Sequence, residues 1–322
     1  MIVALAGGVG GAKLAEGLQA VLPPGELAVV VNTADDFSLH GLAISPDLDT
    51  VMYTLAGLAN PQTGWGMSDE TWSGIEMLAR YGGPDWFRLG DRDLATHITR
   101  TALLREGLTL TQVTARLAAA LGIVAPLLPM CDEPVATIVE TPDGPLAFQE
   151  YFVMRGCRDT VLGVRLDGIE HATISAALDA ALARAEAIVF CPSNPLVSIG
   201  PILAIPGLRE RIRARGVPIV AVSPIIAGQA LKGPAARMLE SMGMEGGVVG
   251  VARLDADLAL TLLIDEADRE LVPAVAALGV RPVVAPIIMG SVEDRAGLAR
   301  RVLAEVAAIR QTGGLNTARA AG

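Results

Sequence analysis

The sequence predicts an α/β fold, a doubly wound and mostly parallel sheet with an inserted helical subdomain. Three observations predict it. The chain opens on a short apolar run, Ile2 to Ala6, followed at once by Gly7, Gly8, Gly10, Gly11 and a helical pattern, the layout of a buried strand feeding a helix. Apolar runs that end in polar residues recur at Leu27 to Val31, Ala187 to Cys191 and Pro218 to Val222. At 322 residues and 52% hydrophobic, the chain can cover such a sheet on both faces.

Bulk properties exclude several classes. A net charge of -10 argues against general attraction to nucleic acid or to acidic membranes, so neither partner is expected. The most apolar stretch, Val217 to Ala227, is short and broken by Pro218 and Pro224, which argues against a spanning helix. Without a basic, signal-like start the chain reads as cytoplasmic. Cys131, Cys157 and Cys191 lack metal-ligand spacing and read as small buried hydrophobes.

In order, the first strand leads to a glycine loop whose free amides, at the positive end of a helix dipole, suit a phosphate. Gly8, Gly10, Gly11 and Lys13 are its candidate contacts. The loop is neither a Walker A motif, since Ala12-Lys13-Leu14 offers no hydroxyl, nor a GxGxxG fingerprint, since Lys13 replaces the third glycine. The second strand ends in Asn32-Thr33-Ala34-Asp35-Asp36, and Ser45-Pro46-Asp47-Leu48-Asp49 then reads as a helix start capped by Ser45. Asp35, Asp36, Asp47 and Asp49 would repel one another unless a cation sat among them, so they are candidate ligands for Mg²⁺.

Helical periodicity runs through Val51 to Ala59, Asp69 to Arg80, Asp93 to Glu106 and Leu110 to Leu121, an insertion able to lid a site. It holds all three tryptophans, with Trp65 and Trp86 in turns where a flat ligand could stack, Asp93 at a helix cap, and His97 and Arg100 on one helix face. Ala136 to Thr141, Leu146 to Arg155 and Val161 to Leu166 read as an antiparallel extension without chemistry. A helix over Ile174 to Arg184 precedes the strand ending at Cys191. Ser193, Asn194 and Ser198 then follow in a strand-end ligand loop, while Lys232 and Gly233 before a helix at Pro234 form a second anion site. Val248 to Ala252, Thr261 to Ile264 and Arg281 to Ile288 are expected strands, and Arg269 to Leu278 and Val292 to Ile309 expected helices. The expected organisation is 1–50 as the first part of the nucleotide-binding α/β domain, 51–125 as the helical insertion, 126–310 as its remainder and 311–322 as a disordered tail.

Six motifs together resemble the 2-phospho-L-lactate transferase family of coenzyme F(420) biosynthesis, nearly end to end. They are GGVGGAKL at Gly7 to Leu14, VNTADD at Val31 to Asp36, GLxISPDLDTVMYTLAG at Gly41 to Gly57, WFRLGDRDLATHITRT at Trp86 to Thr101, PSNPLVSIGPIL at Pro192 to Leu203 and AVSPIIAGQALKGPAARM at Ala221 to Met238. Ala34 and Ala227 stand where the family pattern has glycine. The resemblance implies a Rossmann-like fold and a Mg²⁺-dependent transfer from a guanosine diphosphate ester of phospholactate, or of its enolpyruvyl or glyceryl counterpart. The acceptor would be the ribityl hydroxyl of the deazaflavin Fo, with GMP leaving and no covalent enzyme intermediate. Asp36 or Asp49 would take the hydroxyl proton, Lys232 would neutralise phosphate charge, and Trp86, His97 and Arg100 would hold the deazaflavin. A homodimer is the default expectation. The alternative is the related gluconeogenesis-factor family, which shares the opening and fold but binds a nucleotide sugar and regulates.

Overall fold

The computed structural model describes residues 1–230, 233–258 and 260–320, with side chains through Gln311. Seven strands form the central sheet: β1 (Ile2–Ala6), β2 (Leu27–Val31), β3 (Leu127–Pro129), β4 (Ala187–Phe190), β5 (Ile219–Val222), β6 (Thr261–Ile264) and β7 (Arg281–Val284). All pair in parallel in the order β7-β6-β5-β4-β1-β2-β3. Side chains alternate between two cores: Val3, Leu5, Ala28, Val30, Ile188 and Phe190 pack on one face, and Ile2, Ala4, Ala6, Val29, Val31 and Val189 on the other. Strand order reverses between β1 and β4, so the loops after these strands part there and leave a crevice at the carboxyl edge.

Helices α1 (Gly8–Val21), α2 (Pro46–Leu55), α3 (Ser73–Arg80), α4 (Asp91–Arg105) and α5 (Leu110–Ala120) fill the stretch between β1 and β3. The helix start expected at Ser45-Pro46 is observed as α2 from Pro46, and its Leu48, Val51, Met52 and Tyr53 sit in the same core as α1. A short hairpin, Phe37–Leu39 with Leu42–Ile44, precedes it. The antiparallel unit contains Ala136–Thr141, Gly144–Ala147 and Gly163–Asp167. Its second strand stops at Ala147, where the chain turns into one wide helical turn, Glu150–Met154, instead of running extended to Arg155.

Val248 to Ala252 is a correction: it lies in the helix Gly247–Leu254, with all five residues buried. A short valine-rich run fits a buried strand or a buried helix, and here β6 already pairs with both β5 and β7. The last helix, Val292–Ala320, extends through most of the segment expected as a tail. Residues 321 and 322 lie outside the described residues. Among the described residues no helix is long and apolar enough to cross a membrane.

Candidate active site

A cavity of about 810 Å³ opens where the loops after β1 and β4 part. The glycine loop, Asp35, the start of α2, α4, the 193–198 turn, Gly233 and residues 287–290 all line it. Of the glycines, Gly8 has φ +59 and needs the left-handed conformation. The others make room for protein: a methyl group at Gly7 would overlap the Asp47 carboxylate, one at Gly10 the Pro192 carbonyl and one at Gly11 the Ser193 hydroxyl. Gly10 is therefore required by close packing of α1 on the loop after β4, and Gly11 does not line the cavity at all. Gly7 N donates to Ser193 Oγ at 3.0 Å, and the Gly8 amide serves Asp47. Lys13 Nζ reaches the Met289 carbonyl at 2.8 Å.

Asn32 organises the carboxylates. Its Oδ1 accepts from Ala34 N at 3.1 Å, which turns Nδ2 toward Asp35 Oδ1 at 3.1 Å and Asp47 Oδ2 at 3.0 Å. Gln149 Nε2 donates to the other Asp35 oxygen at 2.8 Å, and Ser198 Oγ to Asp47 at 3.3 Å. Burial, then the neighbouring Asp47 and Asp36 charges, hold the Asp35 carboxyl well above the usual carboxylate range. Burial likewise raises Asp36 strongly and pushes Asp47 up to about 6. Buried, mutually repelling carboxylates with few cations of their own form a hard oxygen donor set suited to a divalent ion.

The other expected residues divide. Asp36 does not line the cavity; its Oδ2 accepts from Ser45 Oγ at 2.6 Å, so Ser45 secures Asp36 instead of capping α2. Asp49 does line it, but Arg100 grips both of its oxygens, Nη1 to Oδ2 at 3.0 Å and Nη2 to Oδ1. Arg100 is 1% exposed and stands behind the wall, not in it. His97 lies between two acids, Nδ1 at 3.6 Å from Asp49 and Nε2 at 3.2 Å from Asp93. Asp93 is not a cap: it accepts from Tyr53 OH at 2.6 Å, and Glu70 takes the Arg92 and Asp93 amides, each at 2.9 Å. Asp49, Asp93 and His97 bring ligand atoms within 4.8 Å of one another and could bind a metal. The four aspartates expected as one ligand set lie near enough for Asp47 and Asp36 to raise Asp35 and for Asp49 and Asp47 to raise Asp36, but they have different partners: Asp35 and Asp47 share Asn32, Asp36 accepts from Ser45, and Asp49 faces Arg100.

Ser193, Asn194, Ser198 and Gly233 line the cavity as expected. Ser193 and Asn194 also build it, since Asn194 Oδ1 accepts from Leu196 N at 2.9 Å and so fixes the turn. Lys232 lies outside the described residues. Trp65 and Trp86 line the cavity, whereas Trp72 supports Arg88, whose guanidinium carbon is 4.1 Å from the ring centroid. Sequence reasoning missed Asn32, Tyr53, Arg88, Phe148, Gln149 and Phe152. Of these, Asn32 carried a signal as the first polar residue after a buried strand; Gln149 and the phenylalanines belonged to a unit expected to hold no chemistry.

Comparison with known proteins identifies the family. The family model for 2-phospho-L-lactate transferase CofD matches residues 2–283. A phosphoenolpyruvate transferase of Kitasatospora aureofaciens is 44% identical over 316 residues, covering 96% of this chain and 98% of that protein. A 2-phospho-L-lactate transferase of Methanosarcina acetivorans is 39% identical over 302 residues, covering 94% and 98%. A crystal structure of a UPF0052-family protein from Bacillus halodurans shares the fold, with a TM-score of 0.62 at 15% identity over 94% of this chain and 98% of that one. With a family match across most of its length and relatives near 40% identity, the chain belongs to the 2-phospho-L-lactate transferase CofD family.

Proposed function

We propose that this protein transfers a phospholactyl, phosphoenolpyruvyl or phosphoglyceryl group from its guanosine diphosphate ester to the ribityl hydroxyl of Fo, in coenzyme F(420) biosynthesis. The observation that carries this reading is the composition of the cavity. Six of the chain's eleven aromatic residues, Tyr53, Trp65, Trp86, Phe87, Phe148 and Phe152, line one space that also holds a helix N-terminus and buried carboxylates. A site for two planar ligands joined through phosphate needs these parts, whereas a regulator that binds one nucleotide sugar has no use for a second aromatic wall.

The first turn of α1 presents the Val9 and Gly10 amides toward the donor phosphates. Asp35 and Asp47 would hold Mg²⁺, which supplies neutralisation of the diphosphate charge. The acceptor hydroxyl attacks the phosphorus bearing the three-carbon acid, that phosphorus–oxygen bond to GMP breaks, and GMP departs with the electron pair. Asp49, immobilised by Arg100 at the cavity wall, orients the hydroxyl and accepts its proton. Asp36, secured by Ser45 away from the cavity, has no place in this scheme. Positioning and charge neutralisation dominate such a transfer, so a strong base is not required. The test is incubation with Fo, each of the three donors and Mg²⁺, with products identified by mass. Fo enlarged by one phospho-acid unit is expected; no product from any donor, despite measurable binding of GDP and Fo, would refute it.

A further inference from the structure

The antiparallel unit holds the most informative feature outside the expected motifs. Phe148 and Phe152 stack with ring centroids 5.5 Å apart and planes inclined by only 10°. Phe148 is buried against Tyr151, Val197 and Met238, while Phe152, on the wide turn after it, remains 37% exposed and lines the cavity. The pair is thus a braced platform: one ring is fixed in the core and the other offers an apolar face to the site. Gln149 lies between them in sequence, is 5% exposed, lines the cavity, and is pinned through Nε2 to Asp35.

We propose that Phe152, backed by Phe148, stacks the planar base of the nucleotide half of the donor. This deepens the proposed function and rests on it for the donor's chemistry. Two aromatic walls face the cavity, and their surroundings distinguish them. Trp86 and Phe87 pack with Phe37 and Leu89 beside α4, on the side of Asp93 and His97. On the other wall, Phe148 packs in one cluster with Val197, inside the turn that carries Asn194 and Ser198, and the adjoining Gln149 bonds Asp35, which shares the Asn32 amide with Asp47, the carboxylate against the glycine loop. The base of a nucleotide whose phosphates rest on that loop therefore meets Phe152 and not Trp86. Stacking on a ring face is tolerant of base identity, so affinity, not selectivity among purines, is what Phe152 supplies.

The experiment compares wild type, Phe152→Ala and Phe152→Tyr in Mg²⁺ buffer, by calorimetric titration with GDP, inorganic pyrophosphate and Fo. Phe152→Ala is expected to weaken GDP about tenfold, leave pyrophosphate and Fo within twofold, and be restored by Phe152→Tyr. Unchanged GDP affinity in Phe152→Ala would overturn the assignment. So would equal losses for GDP and pyrophosphate, which would mark general damage, or a loss confined to Fo, which would give this wall to the acceptor. Binding is read without transfer, so a failed product assay counts against the proposed function alone and leaves this result standing.

Discussion

Replacing Arg100 by methionine separates two roles that its sequence position alone leaves open, ligand contact and internal brace. The guanidinium is 1% exposed and Asp49 4%. It bonds both Asp49 oxygens, lies 3.2 Å from His97 Nδ1 and reaches the Ala43 carbonyl at 3.4 Å. Methionine fills much of the volume but leaves the Asp49 carboxylate buried without its partner, which in comparable sites costs about 3–5 kcal/mol. Urea denaturation followed by tryptophan fluorescence should therefore show a large drop in midpoint for Arg100→Met. The double variant Arg100→Met/Asp49→Asn, which removes the stranded charge, should recover part of it, with a coupling of about 1–3 kcal/mol. GDP affinity of the folded variant should stay within a few-fold, because Arg100 does not line the cavity. A variant with unchanged denaturation midpoint and at least tenfold weaker ligand binding would refute the brace and restore Arg100 as a contact residue.

Two further outcomes follow from local geometry. Ala227 occupies the left-handed region at φ +49, where a side chain costs about 1–2 kcal/mol, while its amide is held by both Asp268 oxygens at 3.1 Å. Ala227→Gly should raise stability by about 0.5 kcal/mol after the extra unfolded-chain entropy of glycine is subtracted, read as a higher urea midpoint; a lower midpoint would contradict the strain. For Asp47, a folded carboxyl near pH 6 against an unfolded one near 4 means that its contribution is most favourable below about pH 4 and is lost as pH rises through about 6. The stability of wild type relative to Asp47→Asn should fall by about 2 kcal/mol between those limits, and a pH-independent difference would show that burial does not penalise the Asp47 charge.

Four strands of the sheet, β1, β2, β4 and β5, were legible because each is an apolar run with a polar stop, a signal that depends on burial alone, whereas β3, three residues ending in Pro129, is too short to carry it. Ile2 to Ala6 and Leu27 to Val31 were readable to the residue. Val248 to Ala252 was not, because buried valines carry no period, and only the pairing of β5 with β6 shows that no strand can insert there. In the site, the residue types were legible and their partners were not. Asp47 and Asp49 are two residues apart on one helix turn, yet one faces Asn32 and the glycine loop and the other Arg100, a division set by elements fifteen and fifty-one residues away. The glycines were read as space for phosphate, whereas three of them chiefly admit Asp47, Pro192 and Ser193. A sequence shows that something must approach closely; which group approaches is decided by tertiary packing. Ala34 illustrates the converse: where glycine was expected, the Asn32 turn accommodates alanine at 1% exposure with no positive φ.

The proposed function requires an acidic chain to hold a diphosphate, and the charge balance of the cavity bears on how it would do so. Three side chains that can carry positive charge, Lys13, Arg88 and His97, line the cavity among the described residues; the first is engaged by Met289, the second rests on Trp72 and the third lies between Asp49 and Asp93. Against them stand Asp35, Asp47, Asp49 and Asp93. The described side chains alone would repel an anion, so in the proposed function its attraction would come from backbone amides at the start of α1 together with a cation shared with Asp35 and Asp47. In the transfer proposed above, GMP carries one phosphate where the donor carried two, so it would share the ion less fully, and the same carboxylates that help to assemble the complex would favour its release.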